Sequence, residues 1–302
     1  MEGDGPFRRA RDKARGAWRF GVDRLPGMVR DSVRTGGVGP GAGGGFDLRE
    51  AAEAGYAAAW LGHGGLLLRQ GETTCLIDPV LSERIGPRIG GRVIGPGRLS
   101  AAPVGVDRLP EIDLVLITHA HYDHLDRATL EQLARRGTVV VTSRRTRRLI
   151  PRGFGGVLEL HWDGVVEVGG VRVSALRPEH WGGRTAVDVL RGCNSYLIES
   201  DGRRTLAPGD TAETGEFAGL GPIDLAAFGI GAYSPSEHHH ATPEQVWGMF
   251  RSVPGERLLP VHHSTFEISG ERVEEPMARL LAAAGDDAGR VVRVEAGELW
   301  RP

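Results

Sequence analysis

From residue 57 onward the chain alternates short apolar runs with glycine-rich breaks. Ala57–Leu61, Gly65–Arg69 and Thr74–Ile77 are too short for helices and are bounded by turn residues, so they predict a meander of strands. Leu114–Thr118 predicts a buried strand, and Arg127–Arg136 the helix that follows it. Thr138–Thr142, Gly156–Leu160, Val165–Val168 and Val171–Ala175 continue the strand series. Tyr196–Glu199 and Thr205–Ala207 flank Asp201-Gly202, the signal of a tight hairpin. Pro243–Arg251 predicts a helix, Leu258–Val261 a buried strand and Glu275–Ala284 a last helix. Strands mixed with helices in this way predict layers stacked on sheets, with chemistry at the strand ends.

The first 45 residues read differently. Phe7, Ala10, Ala14, Trp18, Val22, Leu25 and Val29 recur at helical spacing with arginines between them, interrupted at Pro26-Gly27. Residues 1–35 carry nine basic and five acidic side chains. An amphipathic basic helix over residues 7–34 suits a protein neighbour or peripheral contact with an anionic membrane. Residues 36–45 hold seven glycines, the composition of a flexible linker. Residues 1–45 are therefore expected to form an extension and residues 46–302 the working domain.

The chain has 302 residues, enough for a sizeable core. With 37 basic against 39 acidic side chains it is near neutral, which argues against nucleic acid as a partner. No apolar run reaches the roughly 20 residues that span a bilayer, and none has signal-peptide form. Cys75 and Cys193 are too few for a disulfide scaffold or a four-cysteine zinc site, so they read as small apolar residues in a reduced, cytoplasmic protein. The 46 glycines and the single lysine, Lys13, fit a GC-rich coding bias.

Strand Leu114–Thr118 runs directly into His119-Ala120-His121-Tyr122-Asp123-His124. Side chains at i and i+2 of an extended segment share a side, so His119 and His121 can reach one metal ion. The turn that follows swings Asp123 and His124 toward a second point. Imidazole and carboxylate are ligands that a borderline ion such as zinc accepts.

The hexapeptide resembles the His-x-His-x-Asp-His signature of the metallo-β-lactamase superfamily, and the resemblance extends from about Trp60 onward. It implies an α+β fold, a four-layer αβ/βα sandwich. It also implies further ligands at His180 in Arg177-Pro178-Glu179-His180-Trp181, at Asp210 in Gly209-Asp210-Thr211 and at His262 after Leu258–Val261. One divalent ion would then take His119, His121 and His180, and a second Asp123, His124 and His262, with Asp210 spanning both. Two cations bridged in this way leave positions open for substrate and lower the pKa of a shared water to give hydroxide.

Within the superfamily the sequence is most similar to the branch of N-acyl-phosphatidylethanolamine-hydrolysing phospholipase D. The similarity rests on Trp60–Gly65, Leu76–Ser82, Tyr122, His180-Trp181, Ile230–Tyr233, His240–Glu244 and His262–Phe266. The chain departs from that branch at His263 and Ser264, which stand in place of Trp and Gly. The resemblance implies a zinc-dependent hydrolase acting on a phosphodiester of a lipid, with a lactone or sugar-phosphate ester as the alternative small-molecule substrate. Redox chemistry, nucleic-acid processing and non-catalytic binding are more distant readings. Asp123 is expected to hold a proton and His240 to contact the reacting group. His63 and Asp78 are candidates to orient metal ligands through hydrogen bonds to imidazoles. His238 and His239 are expected to face solvent, and His161 and His263 to be structural. Arg144, Arg145, Arg147 and Arg148 read as a solvated helix face, or as a receiver of phosphate.

Overall fold

Strand formation follows where apolar side chains can be buried on both faces of a pleated chain, and most strands here are of that kind. The computed structural model describes residues 48–185, 188 and 190–302. The helix expected over residues 7–34, the glycine-rich linker and the domain start at residue 46 lie outside the described residues. The strands are β1 (Tyr56–Gly62), β2 (Gly65–Gln70), β3 (Thr73–Ile77), β4 (Arg88–Ile89), β5 (Arg92–Val93), β6 (Leu114–Ile117), β7 (Val139–Ser143) and β8 (Gly156–Leu160). They continue as β9 (Val165–Val168), β10 (Val171–Leu176), β11 (Ser195–Ser200), β12 (Arg203–Gly209), β13 (Ile223–Gly229), β14 (Gly255–Val261) and β15 (Leu299–Trp300). The α-helices are α1 (Arg127–Leu133), α2 (Pro243–Ser252) and α3 (Glu275–Ala284).

A seven-stranded sheet in the order β15-β1-β2-β3-β6-β7-β8 packs on a six-stranded sheet in the order β14-β13-β12-β11-β10-β9. Between them lies a core of inward side chains from both, including Trp60, Leu66, Leu116, Val173, Tyr196 and Leu259. The period of two sends the alternate residues outward. Leu61, Leu67, Val115 and Ile117 meet Leu130 and Leu133 of α1, while Ala226, Phe228 and Leu258 meet Val246, Phe250 and Leu280 of α2 and α3. Helix, sheet, sheet and helix make the four layers expected.

The first two helices are capped at their starts by side chains. Asp126 accepts from the Ala128 amide ahead of α1, and Thr242 with Gln245 forms a capping box on α2, which has a proline in its first turn. Helix α1 ends at Leu133, three residues before the predicted Arg136, because Ala134 turns extended and leads the chain back to β7. Strand β13 has no counterpart among the predicted strands. It lies between β12 and β14 and is parallel to both. Its Ala226-Ala227 centre and terminal glycine carry little strand propensity, so its place depends on burial between neighbours. The two-residue strands β4, β5 and β15 are too short to leave a pattern.

Strand direction decides where the chemistry can sit. Strands β3, β6 and β7 run parallel in one sheet, and β12, β13 and β14 in the other. Their carboxyl ends therefore deliver Asp78, His119, Asp210, Ile230 and His262 to one edge of the sandwich. Strand β1 is antiparallel to β2, as β2 is to β3, so His63 arrives at the same edge; the matching relation through β11 delivers His180. Among the described residues no helix is long and apolar enough to cross a membrane.

Candidate metal centre

The ligand loop is fastened to the sheet by Asp78. This buried residue takes a left-handed backbone (φ 42°) at the end of β3. Its Oδ1 accepts from the Thr118 amide at 2.8 Å, and its Oδ2 accepts from Thr118 Oγ1 at 2.5 Å and from His124 Nδ1 at 2.7 Å. With its proton given to Asp78, the Thr118 hydroxyl can accept from His119 Nδ1 at 2.9 Å. One carboxylate thus orients two imidazoles, turning the Nε2 atoms of His119 and His124 toward the centre.

Two groups of donor atoms result. In the first, His119 Nε2 lies 2.8 Å from His121 Nδ1, and His180 Nε2 lies 3.4 Å from the same atom. His180 is held from behind by an Nδ1–H donated to the His239 carbonyl at 3.0 Å. The edge of Trp181 packs on His121, with ring centroids 4.4 Å apart. In the second group His124 Nε2 is 3.1 Å from His262 Nε2, and Asp123 Oδ2 is 3.5 Å from His262 Nε2. Asp210 faces both. Its Oδ2 is 3.7 Å from His119 Nε2, 3.7 Å from His180 Nε2 and 3.1 Å from His124 Nε2, while its Oδ1 is 3.2 Å from His262 Nε2.

The backbone around this cluster is strained. His63, Asp78, Ala232, His262 and Ser264 all have φ between 42° and 64°, a conformation costing about 1–3 kcal/mol each for side chains of this kind. Two glycines are required by close approach. A Cβ on Gly64 would meet His124 Cε1 at 3.0 Å, and one on Gly231 would meet the His262 carbonyl at 2.3 Å.

The donor set fits divalent cations. Asp210 Oδ2 is buried and makes no hydrogen bond, although ring nitrogens surround it. Burial pushes His119 and His180 well below the ordinary imidazole range and His121 down to about 4, so these rings are neutral with lone pairs facing one another. Repulsion among those lone pairs is relieved by a cation. His124 behaves oppositely: burial lowers it, but Asp210, Asp123 and Asp78 together hold it well above the ordinary value. Burial raises Asp123, but His124, His262 and His63 outweigh that and keep it ionised. Ligand atoms of His119, His121, His180 and Asp210 lie within 4.8 Å of one another, as do those of His63, Asp123, His124 and His262.

The structure therefore brings together all seven side chains singled out as ligands. His240 joins them with Nδ1 3.9 Å from Asp210 Oδ2 and its ring 5.5 Å from that of His262. Asp78 meets an imidazole as expected, whereas His63 meets a carboxylate: its Nε2 bonds Asp123 Oδ2 at 2.9 Å. The His63 carbonyl also accepts from the His262 amide and from Trp60 Nε1, both at 2.7 Å. His238 is exposed, but His239 departs from the expectation of a solvent-facing ring. It is half-buried, because the turn beginning at Ser236 directs its carbonyl at His180 and packs its ring 5.8 Å from that imidazole. His263 is stacked on Trp60 at 4.6 Å, and His161 lies exposed against Trp162. Cys75 and Cys193 are buried, and the four arginines from Arg144 to Arg148 are exposed.

Several supporting residues had no local signal. The Arg184 guanidinium donates to the carbonyls of Ala120 at 3.2 Å and Leu125 at 3.0 Å, and lies 4.0 Å over the Tyr122 ring. It clamps both ends of the ligand loop. The Glu271 carboxylate accepts from the amides of Ala232 at 2.5 Å and Ser234 at 3.2 Å, holding the strand-end loop that leads to His239 and His240.

Comparison with known proteins agrees with this geometry. Residues 73–263 match the family model described as the beta-lactamase superfamily domain. An uncharacterized protein of Mycobacterium tuberculosis is 33% identical over 247 residues, 76% of this chain and 64% of that protein, so the chain spans somewhat under two thirds of that relative. N-acyl-phosphatidylethanolamine-hydrolyzing phospholipase D 1 of Caenorhabditis elegans is 28% identical over 276 residues, covering 82% of this chain and 76% of the relative. A UPF0173 metal-dependent hydrolase of Ruegeria is 28% identical over 72% of this chain and 89% of its own length. Among solved structures, a possible metal-dependent hydrolase from Veillonella parvula shares the fold with a TM-score of 0.65 at 16% identity, over 81% of this chain and 98% of that one.

Proposed function

The chain belongs to the beta-lactamase superfamily as a metal-dependent hydrolase, and on that premise we propose that it binds two zinc ions and cleaves a lipid phosphodiester, with an N-acyl phospholipid as the substrate class. The observation that carries the two-ion reading is Asp210, whose carboxylate lies between the groups, 3.7 Å from the Nε2 atoms of His119 and His180 on one side and 3.1–3.2 Å from those of His124 and His262 on the other. His119, His121 and His180 would hold one ion and Asp123, His124 and His262 the other. Bound there, the cations supply the positive charge that makes water acidic and that offsets charge developing on the substrate.

The remaining work falls to the side chains. Asp123 is ionised and its side chain is 17% exposed, so it can orient water and receive a proton at the mouth, while His63 fixes its Oδ2. His240 is pushed down to about 4, chiefly by burial, and is therefore neutral at physiological pH. Its ring offers one N–H beside Asp210, placed to bond an oxygen of the scissile group. The phospholipid class is supported by the similarity to the Caenorhabditis elegans phospholipase D and by the motifs shared with it.

Metal analysis of the purified protein, together with hydrolysis of N-acyl phosphatidylethanolamine and of soluble lactones, tests the reading. Close to two zinc ions per chain and release of phosphatidic acid are expected. Absence of bound transition metal after supplementation overturns the metal reading. Turnover of lactones without attack on the phospholipid overturns the substrate class.

A further inference from the structure

Between β3 and the second half of the ligand-bearing sheet the chain makes an excursion that no step above uses. Residues 84–97 form a ribbon. It begins with the bridge between Arg84 and Gly97 and continues through amide bonds from Ile85 to the Pro96 carbonyl and from Ile94 to the Pro87 carbonyl. It ends in β4 and β5 with Ile89 opposite Arg92. Gly90 and Gly91 make the turn, both at positive φ as a two-residue hairpin of this hand requires, and a Cβ on either would meet nothing within 4 Å. At about 3.3 Å per residue the tip stands roughly 15 Å beyond the base.

Base and tip differ in character. The base is nailed down beside the metal centre. Ile85 packs with Val80 and Phe266, against Tyr122 of the ligand loop, and the Phe266 ring is 5.2 Å from that of His63. Arg98, 8% exposed, donates to the carbonyls of Val80 and Leu61 and lies over Phe266. At the tip, by contrast, Ile89 is 64% exposed, the highest value among the large apolar side chains described. Arg88 and Arg92 flank it, are exposed, and enter no ion pair among the described residues. Cross-strand register puts Ile89 with Arg92 on one face and Val93 with Arg88 on the other. Each face thus carries one apolar side chain and one guanidinium, and no acidic residue lies between Arg84 and Gly97. That arrangement does not suit a flat protein face, which would meet one side of the ribbon only. It suits end-on entry into an interface that is apolar beneath and anionic at its surface.

We infer that the Arg88–Arg92 hairpin tip docks the protein on an anionic lipid surface, with Ile89 entering the acyl boundary and the two arginines on headgroup phosphates. The inference rests on the phospholipid reading for its purpose, since a rigid base beside the centre would set the distance between lipid surface and ligands.

The test is local, so that the basic segment at residues 1–35 does not obscure it. Ile89→Cys in the full, metal-loaded chain is labelled with an environment-sensitive fluorophore; Cys75 and Cys193 are 0% and 3% exposed and stay unlabelled in the folded protein. Vesicles of phosphatidylcholine with phosphatidylglycerol are expected to shift the emission to the blue, and vesicles of phosphatidylcholine alone to leave it unchanged. Adding Arg88→Gln and Arg92→Gln should raise the lipid concentration needed by about fivefold per arginine. A silent probe on both vesicles overturns the inference, as does an equal response to both. Dissociation of a dimer by Ile89→Asp in light scattering also overturns it, because the occupant is then a second copy. If the probe responds and N-acyl phosphatidylethanolamine is not cleaved, the substrate reading fails and the docking surface stands. If cleavage in vesicles proceeds while the probe is silent, the docking surface fails and the substrate reading stands.

Discussion

The two donor groups are assembled on different physical terms. The group of His119, His121 and His180 depends on burial: loss of hydration keeps the three imidazoles neutral, and the far nitrogens of His119 and His180 are tied to a hydroxyl and a backbone carbonyl. The group of Asp123, His124 and His262 depends on charge. His124 is surrounded by Asp78, Asp123 and Asp210, which hold a proton on it, and Asp123 is mostly buried and tied to His63. A neutral site needs only the cation to arrive, whereas a charged one must first release a proton. On the two-ion reading proposed above, the first group is expected to be the tighter and less pH-sensitive of the two, and the second the more readily emptied.

Asp210 is the side chain common to both groups, and removing it should erase the difference between them. Asp210→Ala is expected to lower metal content well below one ion per chain and hydrolysis by at least about 10³-fold, beyond the 10–100-fold typical of residues that act through a ligand. Two ions retained with near-normal turnover would show that the groups stand without it.

Asp78→Asn should sharpen the contrast. The amide can still accept from the Thr118 backbone, but its NH2 can no longer accept from His124 Nδ1, directly on the second group, nor from the Thr118 hydroxyl, one bond removed from His119. A loss of about 10–100-fold in metal affinity is expected, falling mainly on the second ion. Titration with zinc in the presence of a competing chelator would read it, and equal weakening of both ions would contradict it. A smaller effect, about three- to tenfold, is expected for Arg184→Met, which frees the carbonyls of Ala120 and Leu125. Melting of the metal-free variant separates a positioning role from a purely structural one. The positioning role predicts weaker metal binding with little change in that melting temperature.

pH gives the mildest test. His119, His121, His180 and His240 have folded-state pKa values below the unfolded value of about 6.5, so the unfolded chain takes up more protons once pH falls beneath it. The stability of the metal-free protein should be fully present above about pH 6.5 and decline toward pH 4. His124 has the opposite sign, and its contribution is present below about pH 6.5 and lost as pH rises through its higher folded value. In the metal-loaded protein the second ion should leave first on acidification, which metal analysis along a pH series would follow. Simultaneous release of both would remove the distinction drawn between the groups.

How much of this was legible depended on locality. The hexapeptide from His119 to His124 announces itself because four ligand-type residues follow one apolar strand. His180, Asp210 and His262 stand alone in sequence, and only resemblance to a known family marked them; each lies just past a strand end, and the ligands it joins are remote along the chain. Arg184 and Glu271 escaped altogether, since each acts on backbone groups 37 to 64 residues away and neither falls in a pattern of its own. His239 was misplaced because a run of three histidines reads as polar loop, while its useful atom is the carbonyl. Strand β13 was hidden by its alanines, although its neighbours on either side left it a single position.

The bond pattern of Asp78 limits how such a centre can change. Because this carboxylate reaches His124 directly and His119 through a threonine hydroxyl, it is a shared hinge pin for both halves. Trimming the chain down to a single-ion catalyst by deleting Asp123 and His262 would leave that pin with His124 still hanging from it. A one-ion descendant would have to rebuild the join between β3 and β6, and not merely discard two ligands.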